Sequence, residues 1–162
     1  MILLNLILVF FIGICLGSFA NVCIFRLPRN KQTITGRSFC PKCKKKIQWF
    51  DNIPLISYLL LSGKCRKCHK NISLKYFIVE IICGASFVLI FLSYSNYTSI
   101  VFLSLLFLLY LIIFFIDLEH FIIPDSLSFT LMFLAISKNF LPNINASFIY
   151  DINQSIIGGM IG

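Results

Sequence analysis

Apolar residues run almost unbroken from Ile2 to Phe25, from Tyr76 to Tyr94 and from Ser99 to Ile116. A helix that crosses the hydrocarbon core of a bilayer needs about 20 such residues, so each run predicts a membrane span. A fourth apolar run covers Ser126 to Leu141, and a fifth begins near Ile152. Between the first two spans the pattern changes. Residues 30 to 75 are polar and carry Gly36, Pro41, Pro54 and Gly63, which interrupt long helices. The expected insert is a small zinc-ribbon-like unit of turns and short strands. Its one apolar stretch, Trp49 to Leu61, is too short and too broken to cross a bilayer. That stretch is expected to pack on the insert or to lie on the membrane surface.

Polar and small residues inside the spans carry further information. Gly13 and Gly17 form a GxxxG followed by Ser18, a spacing that lets a second helix approach closely. Asn21 is expected to bond to a neighbouring helix or to the interface. Arg26, Pro28 and Arg29 stop the first helix at the membrane surface. No Lys or Arg precedes that helix, so it reads as a retained anchor rather than a cleaved signal. Glu80 lies near the start of the second span, where an acid is costly unless partnered. Lys75 is the expected partner, and a functional role for Glu80 is the alternative. Asp117 closes the third apolar run, with Glu119, His120 and, after Pro124, Asp125 beyond it. Following eighteen apolar residues, Asp117 is expected to be partly desolvated, which raises a carboxyl pKa. Asp125 is expected to cap the next helix, while Glu119 and His120 are expected to point to water.

Composition and charge sharpen this picture. Of 162 residues, 59% are hydrophobic and 12% charged, where soluble domains are about 25% charged. The net charge of +8 invites a nucleic-acid reading, but thirteen of the fourteen Lys and Arg residues lie between Arg26 and Lys75. Cations gathered beside spans are first a topology signal and mark the cytoplasmic side. The chain therefore reads as an all-α polytopic membrane protein with a small cytoplasmic insert. The N-terminus lies outside, and the acidic junction at Asp117 returns to the side of the insert. No nucleic-acid partner is expected; the bilayer is.

The insert holds the sharpest chemical signal. Cys40-Pro-Lys-Cys43 and Cys65-Arg-Lys-Cys68 are separated by twenty-one residues. Paired CxxC knuckles at such spacing present four thiolates to one structural Zn²⁺. Lys42, Lys44, Lys45, Lys46, Lys64, Arg66 and Lys67 supply counter-charge and favour the thiolate form. The competing reading is two disulfides in an exported loop, which a reducing cytoplasm disfavours. His69 is a weaker candidate ligand, since four cysteines already fill a tetrahedron. Cys15, Cys23 and Cys83 lie in apolar runs and read as small buried or lipid-facing residues. Asp51, the acid of the basic insert, reads as a salt-bridged or turn-capping residue.

These residues resemble the type IV prepilin peptidases, bifunctional leader peptidases and N-methyltransferases of the bacterial inner membrane. Gly17-Ser18-Phe19, Asn21-Val22 and Arg26-Leu27-Pro28 are similar to the family's opening. Cys40 to Cys43, Asp51-Asn52-Ile53-Pro54 with Ser57, Gly63 to Cys68, Ile72-Ser73 and Tyr76 with Glu80 are similar to its cytoplasmic loop. Asp117 with Pro124-Asp125 is similar to the box of the first catalytic aspartate. The resemblance implies cleavage of the leader from prepilins or pseudopilins, then methylation of the new N-terminus from S-adenosylmethionine. It implies Asp117 as one of two catalytic aspartates, and residues 26–75 as the zinc-holding methyltransferase part, after a first helix at 1–25. Residues 76–162 would be a partial peptidase membrane domain. No residue is assigned to the methyl donor, because the chain has no glycine-rich dinucleotide fingerprint. Phe77 and Thr130 replace prolines common in the family, and the GxGD box of the second aspartate is absent. A lone Asp117 cannot form a dyad. Little peptidase activity is thus expected of this polypeptide alone, unless a complementing chain supplies the second aspartate. The alternatives are a zinc or methyltransferase module without proteolysis, and a membrane-anchored zinc ribbon that binds a partner or nucleic acid through its lysines, which the topology role of those cations disfavours.

Overall fold

The computed structural model describes residues 2–29, 38–40 and 42–138. Five α-helices follow in order: α1 (Ile2–Arg26), α2 (Ile56–Leu60), α3 (Leu74–Ser93), α4 (Tyr97–His120) and α5 (Asp125–Ser137). Among the described residues, three helices are long and apolar enough to cross a membrane: α1, α3 and α4. The expected span over residues 126–141 appears as α5, whose helix starts at Asp125 and is described to Ser137. The expected fifth segment lies outside the described residues, as do residues 139–162.

α1 and α3 pack antiparallel, and small residues set their separation. A Cβ on Gly13 would sit 2.8 Å from the Gly84 Cα, and one on Gly17 would sit 2.9 Å from the Glu80 Cα. One turn further along α1, the Asn21 amide donates to the Tyr76 carbonyl at 2.9 Å. The GxxxG of the first helix thus does what its spacing predicts. Its partner face on α3 carries a glycine of its own. In a bilayer, lipid tails are as apolar as leucine, so close van der Waals contact rather than apolar burial holds such a seam. α4 closes the bundle from the side: Ile24 of α1, Val79 of α3 and Ile116 of α4 are all completely buried. Residues on the outer faces, such as Leu3, Leu89 and Val101, stay exposed for lipid.

Helix ends follow their local chemistry. The Ser73 side chain accepts the Lys75 N–H at 3.3 Å and starts α3; Asn96 accepts the Thr98 N–H at 3.0 Å and starts α4. α4 runs four residues past Ile116 to His120; its cap, Phe121, has a left-handed φ of 51°, and the Phe121 N–H donates to the Asp117 carbonyl at 2.8 Å. Asp125 is not a cap: Pro124 takes the capping position of α5, and Asp125 is the first helical residue. There its negative charge still complements the helix dipole.

The insert is built mainly from turns. Among its described residues no strand forms, and two isolated bridges stand in place of the expected short strands, Phe39 to Lys46 and Lys64 to Asn71. The apolar stretch folds into a turn over Trp49–Asn52 and into α2. Ser57 and Tyr58 turn inward. Ile56, Leu59 and Leu60 remain exposed.

Candidate functional site

The two cysteine knuckles are near copies, offset by 25 positions. In the first, the Lys44 N–H donates to the Cys40 carbonyl at 2.8 Å and the Cys40 N–H to the Lys45 carbonyl at 3.0 Å. In the second, the His69 N–H donates to the Cys65 carbonyl at 2.9 Å and the Cys65 N–H to the Lys70 carbonyl at 3.0 Å. Lys44 and His69 take the matching left-handed corner, with φ of 58° and 54°. Each corner folds the chain back so that both sulfurs of a pair point the same way. The four Sγ atoms of Cys40, Cys43, Cys65 and Cys68 lie within 4.8 Å of one another, and Cys40 and Cys68 approach to 4.0 Å. All four are free thiols, so the disulfide reading does not hold here. Four soft sulfurs around one centre are a donor set that could hold a metal ion. His69 is not part of the cluster; its backbone, rather than its ring, shapes the second knuckle.

The thiols are electrostatically unequal. The Cys68 and Lys67 backbone N–H groups draw the Cys65 thiol down to about 7. Cys68 is pushed up to about 11: the Lys70 N–H pulls the other way, but desolvation and the thiols of Cys65, Cys43 and Cys40 prevail. Asp51 is ion-paired, as its sequence context suggests. Arg66 grips its carboxylate through two nitrogens, at 2.7 Å and 2.9 Å, and the pairing raises the guanidinium pKa.

The insert is fastened to the bundle at Glu80. Its carboxylate does not reach Lys75. It accepts the Leu55 N–H at 2.8 Å instead. Leu55 has φ 57° and ψ −50°, and the Ile56 N–H bonds to the Pro54 carbonyl at 2.6 Å. That is a γ-turn of the rare, strained hand, held by a buried acid on a membrane helix. Phe77, one of the residues that departs from the family pattern, stacks on Tyr58 with ring centroids 5.1 Å apart. The Ser57 hydroxyl donates to the Phe50 carbonyl at 2.7 Å. Between α1, α3 and the insert these contacts leave a cavity of about 490 Å³. Sequence reading missed it, because residues from α1, both knuckles and α3 share its wall.

The acidic junction lies at the same end of the bundle. Lys75, in the first turn of α3, is ion-paired with Glu119 at the end of α4. Glu119 therefore has a partner from the insert end of α3 rather than water alone. Asp117 lies on the outer surface of α4 rather than packed in the bundle. One residue turns a helix by about 100°, so Asp117 leaves the packed stripe that ends at Ile116. Asp125 is also exposed, across the Phe121–Pro124 turn. The structure thus brings the cysteine cluster and the Asp117 turn to one end of the helices.

The sequence matches the family described as Bacterial Peptidase A24 N-terminal domain over residues 11–94. It is 42% identical to the prepilin leader peptidase/N-methyltransferase of Vibrio cholerae, over 95% of this chain and 62% of that protein. For the protein of the same description from Myxococcus xanthus the identity is 34%, over 94% of this chain and 44% of that protein. For that of Klebsiella pneumoniae it is 35%, over 94% and 68%. The chain thus spans 62% and 44% of the length of the first two relatives. No solved structure matches it.

Proposed function

The chain belongs to the bacterial A24 peptidase family, and from that premise we propose that it serves in processing prepilins or pseudopilins. The reaction is removal of the leader on the cytoplasmic side of a bacterial inner membrane, followed by N-methylation of the new N-terminus. The observation that carries this reading is the Lys75–Glu119 pair. It holds the Asp117 turn beside the insert, as one enzyme acting on one peptide end requires. Residues 26–75 would then be the cytoplasmic methyltransferase part, with the N-terminus outside; their cations meet the topology rule for that side.

Cys40, Cys43, Cys65 and Cys68 would hold Zn²⁺, which would supply a structural crosslink to an insert too small to build much core. S-adenosylmethionine would supply the methyl group. Asp117 would serve as one carboxylate of a proton-sharing pair that activates water against the scissile carbonyl. Its exposed side chain is accessible to a peptide there. Residues 76–162 would form the corresponding part of the peptidase membrane domain.

A second reading, methyl transfer without proteolysis, is favoured by the extent of the family match. Residues 11–94 hold the cysteine cluster and the whole lining of the cavity, and exclude Asp117. Two assays on the chain in detergent separate the readings. The first follows leader removal from a full-length prepilin. The second follows label transfer from S-adenosylmethionine to a pre-cleaved peptide with a free N-terminus. The processing reading expects transfer from this chain alone and cleavage once a chain carrying the second aspartate is added, with Asp117→Asn abolishing only the cleavage. Transfer without cleavage even with that second chain present supports the second reading, and neither activity under either assay overturns both.

A further inference from the structure

We propose that α2 is an interfacial anchor: Ile56, Leu59 and Leu60 enter the acyl chains of the bilayer that α1, α3 and α4 cross, and hold the insert down on its surface. The occupant of this face is lipid. The anchor is independent of the processing reading.

The helix is built the wrong way round for water. Ile56, Leu59 and Leu60 follow i, i+3, i+4 spacing and share one side of α2. They are 49%, 64% and 79% exposed, while the polar Ser57 is buried. A helix on a water-covered surface turns such a stripe toward the core.

The height of α2 along the bundle identifies what covers it. Lys75, ion-paired with Glu119, marks where α3 and α4 reach the polar surface. Tyr58 stacks on Phe77, and the Leu55 N–H bonds to Glu80; Phe77 and Glu80 lie two and five residues further into α3 than Lys75. At 1.5 Å per residue, α2 is held about 3–8 Å below the level of Lys75. Helices that lie in the membrane interface sit about 5–10 Å into the boundary between headgroups and acyl chains. Ile78 and Ile81 of α3 are exposed at this height, so it is a level that lipid covers.

The backbone suits that depth. Away from water, a main-chain polar group needs a partner within the protein. The N–H groups of Ser57, Leu59 and Leu61 bond to the carbonyls of Ile53, Leu55 and Ser57. The Leu55 N–H, which precedes the helix, takes the Glu80 carboxylate. An acid inside a span thus serves a segment that lies beside the span.

Charge favours lipid over a second copy of the chain. Lys64 and Lys67 follow α2 and are exposed. Asp51, the only acid in residues 30–75, is ion-paired with Arg66. Two inserts meeting across α2 would bring like charges together, whereas anionic headgroups complement them. Because α1 and α3 already tether the insert to the membrane, three apolar side chains need only hold it in place, not recruit it.

Tryptophan quenching on the full chain, in lipid nanodiscs containing phosphatidylglycerol, tests the anchor. Trp49→Phe removes the chain's one tryptophan. Leu60→Trp or Leu59→Trp then places a reporter on the face, and Ile78→Trp is the reference for lipid at that level. Each is read in discs whose acyl chains carry bromine near the headgroup end, and in ordinary discs with acrylamide in the water. Both α2 reporters should lose as large a fraction of their emission to bromine as the reference does, and far less to acrylamide than free tryptophan amide does. Loss to acrylamide with none to bromine overturns the anchor and leaves the face in water. Protection from both also overturns it, and shows a face covered by protein. The unsubstituted chain gives an independent reading with a lipid that carries a photoreactive group on its acyl chain. Crosslinks should map to Ile56–Leu60 as well as to α3; crosslinks on α3 with none on α2 would overturn the anchor.

Discussion

The carboxylate of Glu80, inside a membrane helix, accepts the backbone N–H of Leu55, a residue of the insert, at 2.8 Å. That bond holds a strained γ-turn at Leu55 and joins the cysteine-rich insert to the helical part. Glu80→Ala leaves a buried N–H unpaired, which costs about 1–3 kcal/mol. Amide hydrogen exchange over residues 54–60 should accelerate, while protection of the Cys40 and Cys65 N–H groups in the knuckles is unchanged. Unchanged protection of that segment would remove Glu80 from its fastening role.

The α1–α3 seam has no room for a side chain at Gly13, whose added Cβ would meet the Gly84 Cα at 2.8 Å. Gly13→Val forces the backbones apart. Overpacking of this kind costs about 1–3 kcal/mol. Unfolding in mixed micelles should shift to lower denaturant, and a matched change at the exposed Ile12 should not shift it.

The cysteine cluster makes a pH-dependent statement. In chain stripped of metal, Cys65 is drawn down to about 7 and Cys68 pushed up to about 11. The thiolate is the reactive form, so alkylation of Cys65 should turn on as pH rises through about 7. Cys68 should stay slow through the neutral range. Bound Zn²⁺ should protect all four cysteines, and its affinity should fall at acidic pH, where protons compete for the sulfurs. Mass spectrometry after timed alkylation reads each site; faster labelling at Cys68 than at Cys65 would contradict the ordering.

Lys75 and Glu119 link the insert end of α3 to the acidic turn. Lys75→Glu should loosen the end of α4, and adding Glu119→Lys should restore it. Being partly exposed, the pair is worth up to about 1 kcal/mol, so the readout is local exchange at Phe121 rather than global stability. Failure of the double exchange to restore protection would show that the contact does not order the turn.

How much of this was legible in the chain follows from where each partner lies. The knuckles were readable because their ligands are local, and the spacing alone brings each pair of sulfurs together. The GxxxG announced a close approach, but not its partner face, since Gly84 and Glu80 lie far along the chain. Lys75 was the wrong partner for Glu80. Five residues on a helix are about 140° apart, so the two side chains diverge, one to α4 and one to the insert. Asp117 came out exposed because the apolar run describes the helix as a whole and not the face that its last acid occupies. The cavity was invisible for the same reason: Asn21, Leu55 and Glu80 meet only in three dimensions.

Every functional proposal requires the cysteine cluster and Asp117 to share the cytoplasmic side. It is tested by a membrane-impermeant maleimide on a chain in which Cys15, Cys23 and Cys83 are serine. One form retains the metal-stripped knuckles, and another carries Asp117→Cys with the four ligand cysteines removed. Both forms should label in sealed inverted inner-membrane vesicles and neither in intact spheroplasts. Labelling of the two forms from opposite faces would contradict the account.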